Sequence, residues 1–277
     1  IKVDHQRGNT GVNAKKIIDE AKAGKVLGDV FDGSTTVVPL LEAGLVEPFI
    51  APAAADIPMK YRDPQGRWSA VLLEFLTIGY DADAVAPADV PKSRADLLDP
   101  KWRGKIIWSG SPGLTGGAGF VANTLMDLGE AAGTDYLSRR KAQNITAYKG
   151  DGHSVIGQIA AKNFALGLQI FNHHTLIERG RGHNIHWVKM EPILSFSNNI
   201  GLVRGAPHPN AAKLFINFVL SPEGQAIIRD GRHIPASDSV DALEPDLKKG
   251  FRVNYVSPVM AAEKMKEWQA AYSKIFE

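Results

Sequence analysis

The sequence predicts an α/β protein with mostly parallel sheets, arranged as two lobes. Short apolar strand segments alternate with amphipathic helical segments along the chain, which is typical of parallel α/β architecture. Two well-separated glycine-rich turns each connect a strand to a helix, which favours two lobes. With 277 residues, of which 44% are hydrophobic, the chain is long enough to bury two cores.

Helices are predicted where apolar residues recur on one face and charges lie on the other. Ile17 lies on the apolar face of the first helix, which Gly24 ends. Ser93 caps a short helix in which Asp96 occupies the capping-box position, and Ser154 caps a later one. The predicted helical segments are 12–23, the first part of 36–49, 92–99, 120–130, 153–163, 208–231 with a Ser-Pro break, and 257–276.

Strands are predicted where a short apolar run ends at turn residues. They are residues 28–34, 68–79, 105–108, 144–150, 164–172 and 197–205. The strand at 164–172 leads into two adjacent histidines, which makes its end a candidate for ligand contact.

The composition excludes several classes of site. The chain has no cysteine, which excludes disulfides, thiolate metal sites and a cysteine nucleophile. The net charge of +2 indicates no nucleic-acid partner, and no apolar run of about 18 residues predicts a membrane-spanning helix. The chain starts with Ile1 instead of Met and shows no signal peptide, so we expect a processed chain.

The glycine-rich run SPGLTGGAG at 111–119 joins a strand to a helix. Glycines let a ligand approach the backbone closely, and a helix N-terminus offers N–H groups and a partial positive charge, so an anion can bind there. Thr115 adds a hydroxyl donor. The alternative is a tight turn in which the glycines serve packing only. Similar but weaker runs are DGST at 32–35, where Ser34 can be a simple helix cap, and DGHSV at 151–155.

Three stretches resemble ferric-iron-type periplasmic solute-binding proteins of ABC importers. They are residues 1–34, residues 91–125 with the run DLLDPKWRGK, and residues 201–228 with the pair APHP and SPEGQ. The resemblance follows the family's order over nearly the whole chain. It implies a type II periplasmic-binding-protein fold, in which two α/β lobes close on a ligand in the cleft between them.

The resemblance also implies the domain ranges, the partners and the location. Lobe 1 is expected at 1–79 and 204–254, without the N-terminal strand that family members carry before the point matching Ile1, and lobe 2 at 80–203 and 255–277. We expect a periplasmic monomer that delivers its solute to an ABC permease in the inner membrane. No cofactor and no catalytic residues are expected, because the chain lacks the hydrolase and metalloprotease motifs.

The chain departs from the family at the expected ligand site. Ferric-binding members carry adjacent tyrosines after an Asn, whereas this chain has Asn172-His173-His174. Imidazole is a neutral, softer donor than phenolate and does not neutralise Fe³⁺. Direct ferric binding by tyrosinate is therefore not expected.

The leading hypothesis is a small anionic organic solute: a carboxylate, a phosphate ester or a phosphonate. Helix N-termini would hold the anion, and His173 and His174 would donate hydrogen bonds. The alternative is a metal ion or ferric complex bound by His173 and His174 with a carboxylate such as Glu74. A remote alternative is an enzyme on the same fold. The predicted ligand-contacting residues are Ser34, Thr35, Phe75, Thr115, Gly116, Gly117, Ser154, Asn172, His173 and His174.

Overall fold

A computed structural model describes residues 2–8 and 10–277. The helices are α1 Thr10–Lys22, α2 Val37–Glu42, α3 Gly117–Leu128, α4 Glu130–Arg140, α5 Gly152–Ala160, α6 Asn172–Arg179, α7 Pro209–Leu220, α8 Pro222–Asp230 and α9 Pro258–Phe276. The strands are β1 Val30–Gly33, β2 Val46–Glu47, β3 Ser69–Asp81, β4 Ile106–Ser109, β5 Thr146–Tyr148, β6 Leu166–Phe171, β7 Ile185–Val188, β8 Ile193–Val203, β9 Ile234–Pro235 and β10 Val253–Tyr255.

The chain forms two compact units. Unit 1 comprises Ile1–Leu73, Phe196–Lys248 and Ser257–Ala262, and unit 2 comprises Glu74–Ser195, Lys249–Val256 and Glu263–Glu277. The first two crossings of the chain between units fall inside the long strands β3 and β8. The lobe ranges predicted from the sequence put the passage of the chain between lobes at residues 79–80 and 203–204, and they stay a prediction.

Unit 1 is built on antiparallel strand pairs. β1 pairs with β8, with Gly33 opposite Asn199. β2 also pairs with β8, with Val46 opposite Val203. The short strand β9 pairs with the start of β3. A core of buried side chains from α1, α2 and these strands packs around Trp68 and Phe31. This packing fixes where β1 ends and where the following turn lies.

Unit 2 carries the parallel strands. Its strands run in the order β3-β6-β4-β5, with β4 parallel to both β5 and β6, and β6 antiparallel to β3. Trp108 faces a core with Phe120 of α3 and Leu137 of α4, whereas Ile107 faces a second core with Ile156 of α5. Because successive strand residues point to opposite faces, the helices cover both faces of this sheet.

The α/β class predicted from the sequence is confirmed, with two differences in detail. The strand pairs are mixed instead of mostly parallel, because the long strands β3 and β8 make mainly antiparallel pairs. The helices α4 and α6 were not predicted. At the predicted capping box, the Ser93 hydroxyl accepts from the Asp96 N–H at 3.2 Å and the Asp96 carboxylate accepts from the Ser93 N–H at 2.9 Å. This box opens a short 3-10 turn at Asp96–Leu98.

Within the described ranges, no helix combines the length and apolar character needed to cross a membrane.

Candidate functional site

Three helices begin at one edge of the unit 2 sheet. The adjacent parallel strands β4, β5 and β6 end at Ser109, Tyr148 and Phe171. A helix follows each strand: α3 follows β4, α5 follows β5 and α6 follows β6. α6 starts directly after its strand, whereas α3 and α5 start after a loop. Because parallel strands end at the same edge, their loops and the following helix N-termini lie together. We call this region the carboxyl edge; it comprises residues 110–117, 149–154 and 171–174.

The glycines of the first loop are required by backbone packing. A Cβ at Gly116 would lie 1.9 Å from the Ser111 carbonyl oxygen, and one at Gly119 would lie 1.7 Å from the Leu114 carbonyl oxygen. A Cβ at Gly117 would lie 2.1 Å from the ring of Tyr272. Packing therefore requires glycine at these three positions. The same packing brings the backbone of α3's first turn to the edge, so anion binding at Thr115, Gly116 and Gly117 stays a prediction.

The cap of α5 is Asp151, so the prediction that Ser154 caps this helix is wrong. The Asp151 carboxylate accepts hydrogen bonds from the N–H of Ser154 at 2.8 Å and from its hydroxyl at 2.9 Å. These two hydrogen bonds lower the pKa of Asp151. Ser154 is exposed and occupies the third position of the helix. The N-terminus of α5 thus already holds a carboxylate, whereas α3 and α6 follow Gly116 and Phe171, whose side chains cannot cap.

The start of α6 carries a cluster of rings. The ring of His174 lies 4.7 Å from that of His173, 5.0 Å from that of Phe171 and 5.2 Å from that of His153, measured between centroids. His173 is 2% exposed and stacks on Phe171 at 5.5 Å. His174 is half-buried and His153 is exposed. Imidazoles from two adjacent loops therefore meet at the carboxyl edge, and His153 was not predicted.

A buried carboxyl group lies behind this cluster. Leu76 of β3 pairs with Phe171 of β6, which places Glu74 beside the first residues of α6. Glu74 is 7% exposed, its Oε2 lies 3.6 Å from Nδ1 of His173, and burial raises its pKa to about 8. A distance of 3.6 Å is too long for a hydrogen bond, and the raised pKa keeps the carboxyl protonated at neutral pH. Glu74 therefore brings no negative charge to the edge.

Asn172 is fully buried, and its backbone carbonyl oxygen accepts a hydrogen bond from the Thr175 hydroxyl at 2.7 Å. Phe75 is 1% exposed and packs edge-on against Phe251, with 5.2 Å between ring centroids. Both side chains thus lie in the interior of unit 2, next to the carboxyl edge. Their contact with a ligand stays a prediction.

The remaining predicted residues, Ser34 and Thr35, follow β1 in unit 1. The cap position of α2 is Thr36, so Ser34 is not the cap. The carbonyl oxygen of Ser34 accepts from the Asn199 side chain at 3.3 Å. Asn199 was not predicted, although its place opposite Gly33 on β8 is a signal that strand pairing would have provided.

Among residues 2–8 and 10–277, no group of three or more histidine, aspartate or glutamate side chains is placed to hold a metal ion.

The family described as "Bacterial extracellular solute-binding protein" matches residues 29–258. The chain belongs to this family. The Fe(3+)-binding periplasmic protein of Serratia marcescens is 28% identical over 243 residues, which are 83% of this chain and 69% of that protein. The putative 2-aminoethylphosphonate-binding periplasmic protein of Salmonella typhimurium is 24% identical over 285 residues, which are 99% and 79% of the two chains.

Two solved structures share the fold of this solute-binding protein. Iron-bound HitA from Pseudomonas aeruginosa has a TM-score of 0.77 at 22% identity and matches 98% of this chain and 89% of its own. AfuA from Actinobacillus pleuropneumoniae, with exogenous fructose-6-phosphate bound, has a TM-score of 0.78 at 23% identity and matches 100% and 90%. The type II periplasmic-binding-protein fold and the resemblance to ferric-type binding proteins are thus confirmed. The protein is a solute-binding component of an ABC importer.

Proposed function

We propose that this solute-binding protein captures a small organic anion at the carboxyl edge of unit 2. The solute is a phosphate ester, a phosphonate or a carboxylate. The observation that carries the proposal is the start of α3, α5 and α6 at the ends of three adjacent parallel strands. N–H groups of a first helical turn and the positive end of the helix dipole favour an anion.

The side chains at this edge support the same charge. His153 and His174 offer ring N–H donors, and the buried carboxyl of Glu74 is neutral at pH 7. The one carboxylate at the edge, Asp151, is hydrogen-bonded to Ser154 and stays charged, so it is the one side chain there that disfavours an anion. A relative that matches 99% of this chain is named for an aminoethylphosphonate, which is an organic anion of this class.

A ferric complex is the second candidate, and the Serratia marcescens relative favours it. In that case the histidines and the carrier anion would share the metal, since the chain lacks the adjacent tyrosines. In either case we place the protein in the periplasm as a monomer that binds without catalysis and transfers its solute to a permease in the inner membrane.

The test is a thermal-shift series on chelator-washed protein. The panel contains 2-aminoethylphosphonate, fructose 6-phosphate, inorganic phosphate and citrate, each with EDTA, together with ferric citrate and Zn²⁺ without EDTA. A ligand at a hundred times its Kd adds about 2.7 kcal/mol to the free energy of unfolding and so raises Tm. We expect an organic anion to raise Tm in EDTA. A rise with metal alone, abolished by EDTA, would refute the proposal and support the second candidate.

A pair of variants localises the binding. His174→Gln removes a half-buried ring of the carboxyl edge, and His208→Gln removes an exposed imidazole of unit 1 that lies 3.1 Å from Asp29. We expect the first to weaken anion binding about tenfold, as loss of one hydrogen bond does, and the second to leave it unchanged. Equal affinity of the two variants for the anion would show that the binding site does not include the start of α6.

A further inference from the structure

Ser109, the last residue of β4, connects two loops of the carboxyl edge. Its side chain is 1% exposed. Its hydroxyl oxygen accepts a hydrogen bond from the Ser111 N–H at 3.1 Å and donates its proton to the carbonyl oxygen of Gly150. Ser111 belongs to the loop that precedes α3, and Gly150 to the loop that precedes α5. One side chain therefore fixes the loop after β4 against the loop after β5.

The backbone around Ser109 adds further connections. The N–H of Gly110 donates to the Tyr148 carbonyl at 2.7 Å, and the N–H of Gly150 donates to the same carbonyl at 2.8 Å. Ser109 also pairs with Gly116, the residue before α3, in an isolated parallel bridge. These contacts place Ser109 between the starting points of two helices.

We propose that Ser109 is a positioning residue for the anion site. It sets the spacing between the first turn of α3 and the first turn of α5 without touching the solute. The inference rests on the proposed function. A hydroxyl suits the position because it donates and accepts at once, and neither Ala nor a carboxylate does both. Donors to an anion act well only when they are held at fixed spacing, so a loosened loop lowers affinity.

The matched comparison is Ser109→Ala against Ser195→Ala. Both serines are buried in unit 2, but within the described chain the Ser195 hydroxyl has no hydrogen-bond partner. The probes are inorganic phosphate and 2-aminoethylphosphonate, titrated calorimetrically. We expect Ser109→Ala to weaken binding about tenfold and to lower Tm by a few degrees, because two hydrogen-bond partners are left without it, and Ser195→Ala to leave binding unchanged. Unchanged affinity in Ser109→Ala, or an equal loss in both variants, would overturn the proposal.

Hydrogen exchange gives a readout that needs no ligand. In the unmodified protein the Ser111 amide should be protected, and in Ser109→Ala the amides of 111 and 150–154 should exchange faster while those of β6 stay unchanged. An unprotected Ser111 amide in the unmodified protein would contradict the role, whether or not the variant folds. If the unmodified protein binds none of the anions, the proposed function fails, and the exchange data still decide whether Ser109 connects the loops.

Discussion

Oε2 of Glu74 lies 3.6 Å from Nδ1 of His173, and both side chains are buried. The pair joins strand β3 to the first turn of α6. The ordinary pKa of the carboxyl is 4.5, and burial raises it to about 8. The burial of Glu74 therefore makes the stability of the protein depend on pH.

Glu74→Gln should flatten that dependence. Between pH 4.5 and 8 the folded protein holds a proton that the unfolded chain releases, so the stability is fully present below pH 4.5 and is lost as pH rises through 8. The loss is about 1.4 kcal/mol for each pH unit of the window. Urea unfolding at pH 5, 6, 7 and 8 measures it. We expect Glu74→Gln to lose less stability between pH 5 and pH 8 than the unmodified protein does. The exposed control Glu130→Gln should behave like the unmodified protein. The same pH dependence of the unfolding free energy in all three proteins would disprove the raised pKa of Glu74.

Asp151→Ala should destabilise α5 by about 1 kcal/mol, because it removes the helix cap. Ser154→Ala keeps the backbone N–H that donates to Asp151 and loses only the hydroxyl, so its effect should be smaller. Because the hydrogen bonds lower the pKa of Asp151, its stabilisation is present above pH 3.8 and is lost as pH falls further. Chemical unfolding at pH 7 and pH 3 tests both statements. A larger loss in Ser154→Ala than in Asp151→Ala would be inconsistent with this cap.

Gly119→Ala and Gly157→Ala should have opposite effects, although both are helical positions in unit 2. The added Cβ at Gly119 meets the Leu114 carbonyl at 1.7 Å, whereas no atom of the described residues lies within 4 Å of the added Cβ at Gly157. We expect the first to cost about 1–3 kcal/mol or more and the second to add about 0.5–1 kcal/mol. Thermal unfolding of the two variants decides the point, and a neutral Gly119→Ala would show that the loop before α3 can shift.

Asn199→Ala should destabilise unit 1 by about 1–3 kcal/mol, because it removes a buried side chain that bonds the Ser34 carbonyl and the Ser197 backbone at 3.3 and 3.0 Å. The exposed Asn163, which bonds only Gln158 in the described structure, provides the control Asn163→Ala, expected within about 0.5 kcal/mol of the unmodified protein. Equal unfolding free energies for the two variants would argue against a role for Asn199 in holding the turn after β1.

Strand-to-helix junctions were predictable because apolar runs ending in Gly, Ser or His are local signals. The helix caps were harder to predict. Ser34 and Ser154 can both accept a hydrogen bond from a helix N–H, but the residues at the cap positions are Thr36 and Asp151. Backbone geometry, which the sequence does not show, decides among neighbouring candidates. The helix α6 was missed because eight residues fall short of the length of about ten that distinguishes a helix from a strand end in a sequence.

The position of Glu74 shows a different limit. The sequence identified it as a carboxylate that could accompany His173, and the structure brings the two together. Their distance depends on the pairing of β3 with β6, which contains a register shift between Thr77 and Ile78. Its neutral state at pH 7 depends on burial, which local sequence does not reveal.

The ring of Tyr272 lies where a Cβ of Gly117 would be. Tyr272 stacks on Phe276, and Trp108 packs edge-on against both, with ring centroids at 5.7 and 5.0 Å. The loop before α3 is thus supported by residues more than 150 positions after Gly117 in the chain. A nascent chain that has reached α3 cannot yet complete this loop. Because Tyr272 and Phe276 belong to α9, the start of α3 takes up this packing only once α9 has been synthesised.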